Sequence, residues 1–209
     1  MQAIFNILLS YLIGSISGSI VLGKLKGIDI RTMGSGNAGG TNAFRTVGVF
    51  FALGVISIDI LKGIIAVIFI SKLNLTTLIN HELITISCAV AAVLGHVYPV
   101  YYKFQGGKGA GTLIGIIAVL FPIKCLFIAI CSWIATLTIT GFVGFSTMVA
   151  GVVLSICAYY LEVSTNYFYF SIVMSFFIIF THRSNILRML RGEENQFKKI
   201  MLFKNLFNR

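Results

Sequence analysis

Residues 47–71 read VGVFFALGVISIDILKGIIAVIFIS. A helix needs about 20 apolar residues to cross a hydrocarbon core. This run is that long and carries only two charges, Asp59 and Lys62. They stand three residues apart and share a helical face. Ionisable groups at such depth are costly, and are either paired or functional. The plain reading is a structural ion pair; direct catalysis is the alternative, and the pair could also orient a site from behind.

The rest of the chain repeats the pattern. Of 209 residues, 57% are hydrophobic and 11% charged, where a soluble domain carries about 25% charged residues. Mean hydropathy is +0.96. Further spans are drawn at about 3–23, 83–102, 112–121, 125–140, 148–161 and 168–181. The expected fold is therefore an all-α membrane protein of about seven transmembrane helices, forming one polytopic domain over residues 1–209.

Charge sets its orientation. Lys24, Lys26, Arg31, Arg45, Lys103, Lys108, Arg183, Arg188, Arg191, Lys198, Lys199, Lys204 and Arg209 fall on one side, and only Lys72 and Lys124 on the other. Positive loops stay inside, so the N-terminus is expected outside and the C-terminus in the cytoplasm. No Lys or Arg precedes Lys24, so 3–23 is expected to be a retained span, not a signal peptide. The net charge of +10 sits at segment ends and forms no basic stripe interleaved with surface aromatics, which argues against nucleic acid. Cys88, Cys125, Cys131 and Cys157 lie in apolar segments without ligand spacing, so no metal site or disulfide framework is expected.

Two polar stretches interrupt the apolar ones: GSGNAGGTNAFR at 34–45 and GGKGAGT at 106–112. Consecutive glycines let backbone amides converge on one anion, and Arg or Lys supplies countercharge. Ser35, Gly36, Asn37, Thr41, Asn42 and Arg45 are candidate phosphate contacts, as are Gly106, Gly107 and Lys108. The bland readings are a capped juxtamembrane loop for the first and a snorkelling Lys108 for the second. The second is no Walker A motif, because Gly109 follows Lys108 and Tyr102 stands five residues before Gly107.

His182 and Asn185 also share a helical face, ahead of Arg188 and Glu194. A neutral His can serve as general base and an Asn can orient it or a substrate; a solvated helix end is the bland alternative. His96 reads as a packing or capping residue, and His81 lies near the opposite side. Both glycine segments, residues 140–148 and His182 all fall on the expected cytoplasmic face, which suggests one site.

Across nearly its whole length the chain resembles the bacterial acyl-phosphate:glycerol-3-phosphate acyltransferases. The resemblance is carried by YLIGSI at 11–16, GIDIR at 27–31, residues 34–45, DILKG at 59–63, GHVYP at 95–99, GGKG at 106–109 and HRSNI at 182–186. It implies an enzyme of the bacterial inner membrane, active on the cytoplasmic face. That enzyme moves a fatty acyl group from acyl phosphate to glycerol 3-phosphate, forming lysophosphatidic acid in phospholipid biosynthesis. It implies no cofactor, with membrane lipid and an acyl-phosphate synthase as candidate partners. By carry-over Ser35, Arg45 and Lys108 bind phosphate, and His182 and Asn185 organise the attacking hydroxyl; Asp59, Lys62 and Glu194 are read as supporting residues. In GFVGFS at 141–146, Gly144 falls where the family has Ser, and Ser146 or Thr147 is the candidate replacement hydroxyl.

Acyl phosphate is already activated, so no covalent intermediate is needed. The chain has no G-x-S-x-G elbow, no Cys–His pair and no H-x-x-x-x-D motif. Positioning and electrostatic stabilisation remain, with either His182 or the donor phosphate as proton acceptor. The competing classes are a transporter of an organic phosphate and a non-catalytic binder.

Overall fold

The computed structural model describes residues 1–73 and 80–202; of the tail cations, Lys204 and Arg209 lie outside it. All regular structure among the described residues is helical. The chain divides into two compact units, Met1–Leu120 and Phe121–Arg209.

The first unit holds α1 (Gln2–Gly14), α2 (Gly18–Leu25), α3 (Gly40–Thr46), α4 (Val49–Ile68), α5 (His81–Val97) and α6 (Ala110–Leu120). The expected first span is broken: α1 and α2 meet at a 46° bend over 15–17. Bends need partners for the backbone groups they release. Here Lys62 Nζ donates to the Ile16 carbonyl at 2.8 Å, and Gly18 N lies 3.4 Å from Asp59 Oδ1. α1 also packs on α5 with almost no side chain between them: a Cβ on Gly14 would enter the Ala92 backbone, and one on Gly95 the Tyr11 carbonyl. Tyr11 then donates its hydroxyl to Tyr98 O at 2.7 Å.

The second unit holds α7 (Ile123–Thr140), α8 (Val143–Tyr160), α9 (Thr165–Thr181) and α10 (Arg183–Leu190). Gly141, at φ 72°, ends α7 in the left-handed conformation. Its carbonyl accepts from Phe197 N at 2.9 Å, so the stretch after α10 folds back onto this corner. Met201 covers it, and a Cβ on Gly141 would sit 2.8 Å from the Met201 sulfur. α9 and α10 are bent by 52° at His182.

Each apolar segment drawn from the sequence contains a helix. Four are long and apolar enough to cross a membrane, or six if each bent pair counts as one span. The seventh, expected at 112–121, is α6. At 1.5 Å per residue it is about 16 Å long, roughly half of a hydrocarbon core. The helix starts directly after the polar glycine segment at 106–109.

Candidate active site

In the first unit the loop between α2 and α3 is organised by one side chain. Asn42 is almost fully buried, and its amide nitrogen donates to the carbonyls of Ile30, Met33 and Asn37 at 3.1, 2.9 and 3.1 Å. Its amide oxygen accepts from Ser35 N at 3.0 Å. All this hydrogen-bonding capacity is spent on folding the loop, so the Asn42 side chain shapes the segment rather than facing its opening. Gly34 and Gly36, at φ 56° and 71°, make the turn that brings Ser35 N to Asn42; a Cβ on Gly34 would enter the Asn42 amide. Ile30, Ala38 and Ala43, wholly buried with Ile20, Phe51, Ala52 and Val55, anchor the loop from below.

Apart from Phe44, what remains at the surface of 34–45 is polar or glycine. Ser35 and Gly36 are exposed, while Asn37, Thr41 and Arg45 are half-buried, with Thr41 and Arg45 one turn apart on α3. Nearby, the Arg31 guanidinium forks onto Asp29, Nε to Oδ1 at 3.0 Å and Nη2 to Oδ2 at 2.7 Å. Those hydrogen bonds lower the Asp29 pKa to about 2.

The second glycine segment enters α6 through strained backbone. Lys103 and Phe104 are both left-handed, at φ 55° and 59°, a conformation costing about 1–2 kcal/mol for a residue with a Cβ. Phe104 N is held by Pro99 O at 3.0 Å and Gln105 N by Tyr102 O at 3.1 Å. Gly106 N and Gly107 N are then bound to the carbonyls of Val97 and His96 at 3.2 and 3.1 Å. These two amides are committed, and Lys108 is half-buried beside them. Gly109, at φ 90°, opens α6; the first-turn amides of an 11-residue helix have no partner within the helix and favour an anion. Thr112 Oγ1, one turn in, is buried without a hydrogen-bond partner.

Behind this segment lies the Asp59–Lys62 pair, Nζ to Oδ1 at 3.1 Å with both side chains 4% exposed. The buried ion pair expected from the spacing is there. His96 is more than the packing residue it reads as: its Nδ1 is 3.4 Å from Asp59 Oδ1, in contact though not aligned as a hydrogen bond. Periodicity hid this, since Asp59 and His96 are 37 positions apart.

In the second unit, His182 sits at the bend between α9 and α10, 5% exposed. Its Nδ1 is 2.8 Å from the Ile178 carbonyl. A carbonyl can only accept, so Nδ1 carries the proton and the lone pair of the neutral ring is on Nε2. Asn185 donates from Nδ2 to Glu194 Oε1 at 2.9 Å, and Arg188 Nε to Glu194 Oε2 at 2.7 Å. The Glu194 side chain is 4% exposed.

The third motif behaves differently from the two glycine segments. Ser146 is fully buried and Thr147 half-buried, and both bond back into their own helix, Ser146 Oγ to Phe142 O at 2.8 Å and Thr147 Oγ1 to Val143 O at 2.9 Å. Thr147 Oγ1 also accepts from Trp133 Nε1 at 3.1 Å. Gly144 is the residue of this motif that meets Asn185: a Cβ there would lie 3.0 Å from the Asn185 amide. Between α8, α9 and α10 runs an apolar groove of about 630 Å³ lined by Phe145, Met148, Val149, Val152, Val153, Ile179, Ile186, Met189 and Leu190.

These features define an all-helical integral membrane protein with two polar glycine segments and a tautomer-fixed His. A glycerol-3-phosphate acyltransferase family model matches residues 4–192, and the chain belongs to that family. It is 39% identical over 192 residues to a Halalkalibacterium halodurans protein named glycerol-3-phosphate acyltransferase, covering 90% of this chain and 91% of that one. It is similar to the crystal structure of PlsY, an integral membrane glycerol 3-phosphate acyltransferase, in its glycerol 3-phosphate form. The TM-score is 0.84, with 31% identity and all of both chains covered. To the lysophosphatidic acid form of PlsY the TM-score is 0.83, with 32% identity over 94% of this chain and 96% of that one.

Proposed function

We propose that the chain transfers a fatty acyl group from acyl phosphate to glycerol 3-phosphate, giving lysophosphatidic acid and inorganic phosphate, the first acylation of phospholipid biosynthesis. The observation that carries this is its full-length likeness to PlsY in a glycerol 3-phosphate form and a lysophosphatidic acid form. The acyl-phosphate donor rests on the motif resemblance at 34–45 and 106–109 and on a chain without a nucleophile elbow.

In this reading Ser35, Gly36, Asn37, Thr41 and Arg45 make one phosphate-holding surface, and Lys108 with the first-turn amides of α6 makes another, on backbone that Gly106 and Gly107 set rather than with their own committed amides. Asn42 shapes the first of them, Asp59 and Lys62 support the second, and Ser146 supports α8 from within its first turn. The hydroxyl oxygen of glycerol 3-phosphate attacks the acyl carbonyl carbon, and the bond from that carbon to the phosphate oxygen breaks. The hydroxyl proton goes to His182 Nε2, while Asn185, held by Glu194, orients the hydroxyl. The apolar groove beside α8 takes the acyl tail.

The same reading makes residues 1–209 one polytopic domain of the inner membrane, with seven spans, N-terminus outside, and chemistry on the cytoplasmic face. It makes an acyl-phosphate synthase the supplier of donor. The charge asymmetry supports the orientation. The purified protein, mixed with palmitoyl phosphate and glycerol 3-phosphate, is expected to form lysophosphatidic acid, and Arg45→Ala or Lys108→Ala to abolish it without loss of folded protein. Full turnover in both variants would count against the reading. Binding of glycerol 3-phosphate without product would favour a non-catalytic binder, and its passage across proteoliposomes a transporter.

A further inference from the structure

Three polar groups converge on Asp59 Oδ1 in the first unit: Lys62 Nζ at 3.1 Å, His96 Nδ1 at 3.4 Å and Gly18 N at 3.4 Å. The side chains of Asp59, Lys62 and His96 are all buried. Carboxylate and ammonium cancel, and the His96 ring faces the pair from α5. The far edge of the ring lies under Gly107: a Cβ there would enter His96 Nε2 and come within 2.8 Å of Cε1. The His96 carbonyl also accepts from Gly107 N at 3.1 Å. One residue thus holds the glycine segment by ring and backbone together, directly before Lys108. Gly111 packs against the stem of the same residue, with a would-be Cβ 3.0 Å from Asp59 Cβ.

We propose that His96 is a positioning residue: its ring, seated on Asp59, sets the height of the Gly106–Gly107 backbone and so the placement of Lys108 and the start of α6 against a substrate phosphate. This rests on the acyltransferase reading above. Anion contacts of this kind depend on placement within about 0.5 Å, and a ring fixed on both edges supplies that where glycines alone leave the backbone loose.

Steady-state kinetics of the full chain with palmitoyl phosphate and glycerol 3-phosphate test it. His96→Ala is expected to raise the KM of one phosphorylated substrate about tenfold while kcat falls less than about threefold. His96→Asn, whose amide reaches the Nδ1 position, is expected to keep that KM within about threefold of the parent. Gly107→Ala drives a methyl into the ring edge and lowers activity; combined with the shorter His96→Asn it is expected to recover by about threefold or more. That pair decides the matter if His96→Ala does not fold. Unchanged KM values in His96→Ala, an Asn variant no better than Ala, or a double variant no better than Gly107→Ala overturns the proposal. A parent protein that forms no lysophosphatidic acid fails earlier, and takes the acyltransferase reading with it.

Discussion

Asn185 and Glu194 are joined by a 2.9 Å hydrogen bond from amide to carboxylate, and Arg188 occupies the second carboxylate oxygen at 2.7 Å. Nine residues apart, they close the stretch after α10 onto that helix and fix which way the Asn185 amide turns. Glu194 therefore acts through Asn185, and the consequence is measurable. Glu194→Gln, which keeps size but loses the charge on Arg188, is expected to lower kcat about tenfold with a smaller change in KM. Unaltered kcat in Glu194→Ala would remove Glu194 from the site.

Asn42 makes four hydrogen bonds to the loop it encloses. Replacing it with Leu leaves three carbonyls and an amide to find water in a buried place, at about 1–3 kcal/mol for each left unsatisfied. Asn42→Leu is expected to lower thermal stability and to raise the KM for a phosphorylated substrate. Asn42→Asp, unable to donate to those carbonyls, should behave no better. Parental kinetics in either would show that the loop does not depend on this amide.

Gly144 meets the Asn185 side chain where a Cβ would stand 3.0 Å away. Asn185 must shift by a few tenths of an ångström to admit a methyl, against the pull of Glu194. Gly144→Ala is expected to cost about three- to tenfold in kcat. Gly144→Ser, which adds a hydroxyl able to bond the displaced amide, is expected to recover part of that loss. A faster Gly144→Ala enzyme would contradict the packing argument.

The Asp59–Lys62 pair is buried, so removing one partner strands a charge at about 3–5 kcal/mol. Lys62→Met alone is expected to reduce yield and thermal stability sharply. Asp59→Leu with Lys62→Met, which removes both charges, should restore stability much more than activity, because His96 loses its seat. Equal recovery of both would reduce the pair to a structural ornament.

The Asp29–Arg31 fork gives a pH prediction. The carboxyl is depressed from 3.8 to about 2, so its contribution is present above pH 3.8 and lost as pH falls through about 2. Since the pair is part-exposed, that contribution is small. Activity of Asp29→Asn is expected to follow the parental pH profile between pH 5 and 8, about the range where most enzymes are stable. An acidic limb displaced within that window would show Asp29 titrating there.

Apolar run length, the spacing of Asp59 and Lys62, and the glycine clusters are local properties. Sequence therefore located the seven apolar runs, the buried pair and both polar stretches, but not the short helices α3 and α10. It took 3–23 as one continuous span, whereas the chain breaks over 15–17; 112–121 matches the short α6 closely. Breaks of this kind are decided by partners, here Lys62 and Asp59, which satisfy backbone groups that hydropathy treats as already paired.

Asn42 read as a phosphate donor because residue type reports a capacity for hydrogen bonding and not its direction; the fold spends that capacity on Ile30, Met33, Asn37 and Ser35. His96 looked like packing because Asp59 approaches it from another helix, and no periodicity links positions 37 apart. Residue order alone dictates a membrane-embedded helical chain with two polar glycine segments, since bilayer solvation and residue chemistry act on each segment separately. Which polar side chains brace the backbone and which face outward is settled by packing, because that depends on which carbonyls and charges come within about 3 Å once helices meet.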